Sequence, residues 1–191
     1  STTSVSCFES AHTMPIVSDI ADILTRRRLT IAVAEACTAG RLGYLLTSVP
    51  GSSAYFHGGV LAYAQSVKSG VLGVAPELLE AEGSVSEVTA LAMAQRVREL
   101  CGTAIGLSTT GIAGPTGGTA TKPVGLFYIG LSTEGYQACR RHLFTGGDFS
   151  SSGREANRER AAQAALALLN EHLVGLEQLA CREAVERRRN A

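Results

Sequence analysis

Leu29-Thr30-Ile31-Ala32-Val33-Ala34-Glu35-Ala36-Cys37-Thr38-Ala39-Gly40-Arg41-Leu42-Gly43-Tyr44-Leu45-Leu46 decides the fold. Leu29 to Ala34 is a short β-rich run, and Cys37 to Leu46 returns to helical spacing after a turn around Glu35, so the segment reads strand, turn, helix. Upstream, apolar residues at 16, 17, 20, 23 and 24 predict a helix from Ile16 to Arg28, with Ser18 or Asp19 as its cap. Downstream, Tyr55 to Ala64 is an apolar strand interrupted at Gly58-Gly59, which suits a bulge or a close backbone approach. Lys68 then opens the next helix. A short helix starts at Pro76, and a longer one runs from Val88 to Leu100 with Ser86 as cap and Gly102 as stop. Thr103 to Thr109, Val124 to Ser132 and Gln137 to Phe144 read as strands, the last two joined by a turn at Glu134-Gly135. An alanine- and leucine-rich amphipathic helix from Arg154 to Leu173 closes the domain. Helices alternating with strands early and a strand pair late predict a single-domain three-layer α/β/α fold with a mixed sheet over residues 15–175. Residues 1–14 are expected to be a flexible lead-in, and 176–191 a basic, helix-compatible tail.

Composition narrows the function. The chain has 191 residues, 45% of them hydrophobic and 18% charged, enough apolar material for one globular core. Seventeen basic and seventeen acidic side chains cancel, which removes the electrostatic footprint of a nucleic-acid or anionic-membrane binder and favours a small-molecule or protein partner. No apolar run approaches the ~20 residues of a membrane span. Five cysteines, an odd number without a CxxC pair or histidines at metal-finger spacing, fit a reduced compartment. The reading is a cytoplasmic protein with no metal.

Pro50 to Lys68, PGSSAYFHGGVLAYAQSVK, sets serines, tyrosines and a lysine among glycines. Serine becomes a nucleophile when a neighbouring base takes its proton, and a lysine with a lowered pKa can be that base, so Ser53 and Lys68 are a candidate pair. Alternatively Ser52 and Ser53 finish a Pro-Gly turn and Lys68 is solvated. Thr110 to Thr119, TGIAGPTGGT, follows a predicted strand, and its backbone N–H groups and hydroxyls could surround an anion. It matches neither the Walker nor the Rossmann pattern, and a loop without a ligand is the other reading. Glu35 is either a polar contact at the end of a strand or a helix-start carboxylate. Cys37 is either an activated nucleophile at a helix start or a packing residue. Arg154 and Arg158, four apart, would project from one helix face and either clamp a phosphate or pair with Glu155 and Glu159.

Taken in order, AEACTAG, VPGSSAYFHGGVLAYAQSVK, TGIAGPTGGTATKPVGLFYIGL and GREANRERAAQAALALL resemble the C-terminal domain of the CinA family, over about Ile16 to His172. Stand-alone members of that family are nicotinamide mononucleotide amidohydrolases. The resemblance implies hydrolysis of the carboxamide of nicotinamide mononucleotide to nicotinic acid mononucleotide and ammonia, without a cofactor, in a protein that forms homo-oligomers. It places the family's serine and lysine on Ser53 and Lys68, its tyrosine on Tyr63, its glycine-loop threonine on Thr110 and its late arginines on Arg154 and Arg158. Glu35, Cys37, Thr38, Ser52, Gly59, Gly111 and Gly114, which flank these positions in the matching motifs, are the remaining substrate-side candidates. Two departures stand out. The family's AESCTGG is here AEACTAG, with Ala36 for its serine and Ala39 for its first glycine, and Gly146 to Gly153 is longer than in relatives. An alternative implied by Ala36 is an inactive domain that binds a nucleotide or a protein partner.

Overall fold

The computed structural model describes residues 7–144 and 151–189. Helix α1 (Cys7–Arg27) leads to β1 (Ile31–Glu35), α2 (Arg41–Thr47), a 3₁₀ turn (Ser52–Ala54) and β2 (Phe56–Leu61). Then come α3 (Gln65–Gly70), α4 (Pro76–Glu82), α5 (Glu87–Cys101), β3 (Ile105–Gly111), β4 (Leu126–Thr133), β5 (Tyr136–Leu143) and α6 (Ser151–Arg189).

The strands form one sheet in the order β2-β1-β3-β4-β5, with β2, β1 and β3 parallel and β4 and β5 antiparallel to their neighbours. This is the mixed sheet predicted. β1 is buried at every position, which is why it reads as a continuous apolar run. Its odd residues Ile31 and Val33, with Ile105, Leu107, Ile129 and Leu131, pack against Val17, Ile20 and Leu24 of α1, Leu42 of α2 and Leu166 of α6. Its even residues Ala32 and Ala34 face Leu79 of α4 and Met93 and Val97 of α5. Helices therefore cover both faces and give three layers. On the α5 side a side chain at Gly106 or Gly130 would run into the backbone oxygen of Ala94 or Ala90, so these glycines let the helix lie on the strands.

Several boundaries differ from the sequence reading. Helix α1 reaches back to Cys7 across part of the expected lead-in, and Ser18 and Asp19 are exposed residues inside it rather than caps. The periodic apolar residues in the sequence begin at Ile16, so spacing alone starts the helix there. Helix α2 starts at Arg41, because Ala39 (φ 49°) and Gly40 (φ 93°) turn left-handed after β1. Lys68 lies inside α3 instead of opening it. The last helix and the basic tail are one helix running to Arg189, exposed over its final turns. The predicted cap and stop of α5 are present: Ser86 accepts the N–H of Thr89, and Gly102 is left-handed. The Gly58-Gly59 interruption is a bulge, with Ile31 paired to Phe56 but Ala32 to Gly58. Residues 145–150, most of the lengthened Gly146 to Gly153 stretch, lie outside the described residues. Among the described residues no helix is long and apolar enough to cross a membrane.

Candidate active site

The loops after β1, β2 and β3 leave the carboxyl ends of parallel strands, where open α/β sheets collect ligands. They surround a cavity of about 250 Å³ whose polar side chains are Tyr63, Lys68, Ser84, Thr110, Thr116 and Arg154, with Ala36, Cys37, Gly111 and Gly114 completing the wall.

Lys68 is 2% exposed, and its Nζ donates to the backbone oxygen of Tyr63 at 3.3 Å. Among the described residues no carboxylate pairs with it. Burial pulls its pKa below the ordinary lysine value, with the nearby Cys37 sulfur acting weakly in the other direction. Cys37 itself packs with Ala113, Phe127 and Ala161, and burial pushes its thiol up to about 12. Burial disfavours the thiolate, and these contacts fit the packing reading of Cys37.

Tyr63, 61% exposed, stands at the mouth of the cavity, where its phenolic oxygen accepts from Nη2 of Arg154 at 2.9 Å. Nη1 of Arg154 donates to the Gly114 carbonyl at 2.6 Å. Thr110 is buried and donates its hydroxyl to the Ser84 carbonyl at 2.6 Å, tying the end of β3 to the segment before α5. Ser84 also lines the cavity and its Oγ donates to Gln65 at 3.4 Å. Sequence reasoning missed it, since it looks like one more polar residue leading into a helix cap.

Other candidates support the frame of the cavity. Glu35 is 1% exposed and its carboxylate accepts from the N–H groups of Gly40, Leu42 and Gly43 at 3.0, 3.1 and 2.9 Å, which makes it the helix-start carboxylate of α2. Thr38 is buried with its hydroxyl 2.6 Å from that of Thr109. Arg158 does not open into the cavity. Its Nε and Nη2 donate to the carbonyls of Cys37 and Thr38 at 3.0 and 3.1 Å, and its Nη1 to Glu155 at 3.0 Å. Of the two arginines, Arg154 alone lines the cavity. A side chain at Gly59 would strike the Val33 backbone, and one at Gly111 the ring of Phe127, so both glycines serve strand contacts.

Ser53 is the main correction. It lies exposed in the 3₁₀ turn with Ser52, ahead of β2, where Phe56 pairs with Ile31 at the start of β1. Tyr63 and Lys68 follow the other end of β2, where Leu61 pairs with Glu35. Six strand residues at ~3.3 Å each separate the two ends by roughly 20 Å. Within one chain Ser53 and Lys68 are not a hydrogen-bonded pair, because their spacing contains a complete strand crossing.

Comparison with known proteins matches this arrangement to one family. The family model of the CinA C-terminal domain matches residues 13–173. A CinA-like protein of Thermosynechococcus vestitus is 47% identical over 156 residues, 81% of this chain and 36% of that protein. A CinA-like protein of Salinibacter ruber is 48% identical over 147 residues, 77% of this chain and 34% of that protein. The chain spans about a third of the length of the curated relatives it matches. Among solved structures, the competence damage-inducible protein A of Klebsiella pneumoniae superposes with a TM-score of 0.78 at 29% identity, covering 85% of this chain and 97% of its own. A competence/damage inducible protein of Agrobacterium tumefaciens does so with 0.77 at 31% identity, covering 87% and 97%.

Proposed function

We propose that this chain, which belongs to the CinA C-terminal domain family, is an amidohydrolase that converts nicotinamide mononucleotide to nicotinic acid mononucleotide and ammonia. The observation that carries this reading is Lys68, a 2% exposed amine lining the cavity without a carboxylate partner among the described residues. Burying an unpaired ammonium is costly, and such a site favours the neutral amine that a general base requires.

In the proposed reaction a hydroxyl oxygen bonds to the carboxamide carbon while the neutral Lys68 amine takes the hydroxyl proton. The tetrahedral oxyanion collapses, the C–N bond breaks, and Lys68 returns its proton to the departing nitrogen, which leaves as ammonia. Water then attacks the resulting ester, with Lys68 again taking a proton, to release the carboxylic acid and the free hydroxyl. Arg154 and the glycine loop receive the phosphate, and Tyr63, held by Arg154, orients groups at the mouth. Binding the remote phosphate fixes the amide for attack.

A second reading, nucleotide binding without turnover, is favoured by one observation: Ala36, which stands where the resembled motif AESCTGG has a serine, lines the cavity and offers it no hydroxyl. Ammonia release from nicotinamide mononucleotide by wild type and Lys68→Met, with calorimetry alongside, separates the two. The amidohydrolase reading predicts release by wild type only, and equal rates contradict it. Binding without ammonia establishes the second reading instead.

A further inference from the structure

We propose that Ser84, in the short segment between α4 and α5, supplies the nucleophilic hydroxyl that Lys68 deprotonates. The identity of the amide substrate rests on the amidohydrolase reading, whereas the activation of Ser84 by Lys68 is tested apart from it.

The cavity wall itself narrows the choice. Its hydroxyls belong to Tyr63, Ser84, Thr110 and Thr116, and Ala36 adds none. Thr110 is 1% exposed and its proton is already given to the Ser84 carbonyl at 2.6 Å. The Tyr63 phenol stands 61% exposed at the mouth, held by Arg154. Thr116 is exposed on the glycine loop, two residues from the Gly114 carbonyl that binds Arg154, so it belongs to the phosphate end. Ser84 is the half-buried primary hydroxyl that remains.

Two contacts bring it to Lys68. The Ser84 Oγ donates to the side-chain oxygen of Gln65, and Gln65 and Lys68 are three residues apart in α3. Residues at that spacing are neighbours on one helix face, with Cβ atoms about 5–6 Å apart. The Ser84 hydroxyl therefore lies against the face of α3 from which Lys68 enters the same cavity.

The segment is firm in its backbone and loose at this one side chain. The carbonyls of Glu82, Gly83 and Ser84 each accept a side-chain hydrogen bond, from Lys122 Nζ at 2.9 Å, Thr89 at 2.7 Å and Thr110 at 2.6 Å. The Ser84 Oγ bond to Gln65, by contrast, is 3.4 Å long, well beyond the ~2.7–2.8 Å usual between a hydroxyl and an oxygen. A hydroxyl on a fixed backbone with so weak a bond turns to a base at little cost, as a positioned nucleophile requires. In the reaction the Ser84 Oγ bonds to the carboxamide carbon as its proton passes to Lys68 Nζ. The C–N bond then breaks and that proton leaves with ammonia. Water, giving a proton to Lys68, cleaves the ester and restores the Ser84 hydroxyl.

Two experiments test this. Ser84→Ala keeps the backbone carbonyl that Thr110 binds, so its melting temperature should match wild type. Its kcat for ammonia release from nicotinamide mononucleotide should fall on the order of 10²-fold or more, with the Kd measured by calorimetry within about threefold of wild type. A kcat within about threefold of wild type overturns the proposal, as does a loss of release matched by an equal loss of binding. The second experiment needs no turnover: wild type and Lys68→Met are treated with methanesulfonyl fluoride and their peptides mapped by mass spectrometry. An activated Ser84 displaces fluoride to form the Oγ–S bond, its proton passing to Lys68. The sulfonyl group is expected on Ser84 in wild type and at least tenfold less in Lys68→Met. An unmodified Ser84, or equal modification in both proteins, overturns the proposal. If wild type leaves nicotinamide mononucleotide intact, the amidohydrolase reading fails, and the sulfonyl label still decides whether Lys68 activates Ser84.

Discussion

Nη2 of Arg154 donates to the phenolic oxygen of Tyr63 at 2.9 Å, joining the first turns of α6 to the loop after β2 across the mouth of the cavity. Arg158, one turn further on, turns instead to the carbonyls of Cys37 and Thr38. The two arginines should therefore fail differently. Arg154→Ala is expected to raise KM for nicotinamide mononucleotide by about tenfold or more while leaving the unphosphorylated riboside little affected, since a phosphate contact is charge-assisted. Arg158→Ala is expected to lower the melting temperature without changing that discrimination. Steady-state kinetics on both substrates and a thermal melt check the split.

Lys68 gives a pH dependence. The base must be neutral, so kcat/KM should climb with pH, with a slope of about one, through the lysine's lowered pKa and then level off. Lys68→Arg, permanently protonated, should lack the climb and the activity.

The same residue makes a stability prediction of opposite value to function. The folded-state pKa lies below the ~10.4 of an unfolded lysine, so across that window the unfolded chain holds more protons and stability rises with pH. Below the window both states are protonated and the full cost of the buried ammonium remains. Lys68→Met should therefore be more stable than wild type at neutral pH, with the difference shrinking as pH rises through the window. Denaturant melts at several pH values measure it, and a destabilised Lys68→Met contradicts it.

Ala39 occupies the left-handed region at φ 49°, a conformation that glycine adopts without penalty. Leaving that conformation to a residue with a Cβ costs about 1 kcal/mol, so Ala39→Gly should stabilise the folded state by roughly that amount less the extra freedom of an unfolded glycine. An unchanged or lowered melting temperature would show that the turn after β1 carries no strain.

Ala36, 6% exposed, lies on the cavity wall. Placing a hydroxyl there with Ala36→Ser is expected to raise kcat on the order of tenfold or more with little change in KM, as for a group that acts in the transition state. A lowered kcat would mean that the cavity is built around alanine.

Much of the fold was legible in the sequence because burial on both faces makes β1 a continuous apolar run and Ser86 and Gly102 are chemical punctuation for α5. The cavity was legible at Lys68, Tyr63, Thr110 and Arg154, which the motifs singled out and the fold brings to one wall. It was not legible where only the third dimension decides. Spacing cannot say that Ser53 and Lys68 lie at opposite ends of one strand, that Arg158 faces carbonyls while Arg154 faces the cavity, or that Ser84 is folded into the wall. Glu35 was ambiguous for the same reason, since a carboxylate after a strand serves a ligand or a helix start equally well until the N–H groups of Gly40, Leu42 and Gly43 are located.

The central claim is amide hydrolysis, and its most direct measurement is mass spectrometry of the nucleotide after incubation of nicotinamide mononucleotide with the protein in ¹⁸O-labelled water. The account predicts nicotinic acid mononucleotide carrying one labelled carboxylate oxygen, formed by wild type and not by Lys68→Met. Unchanged nicotinamide mononucleotide, or free nicotinamide from cleavage of the glycosidic bond, would contradict it.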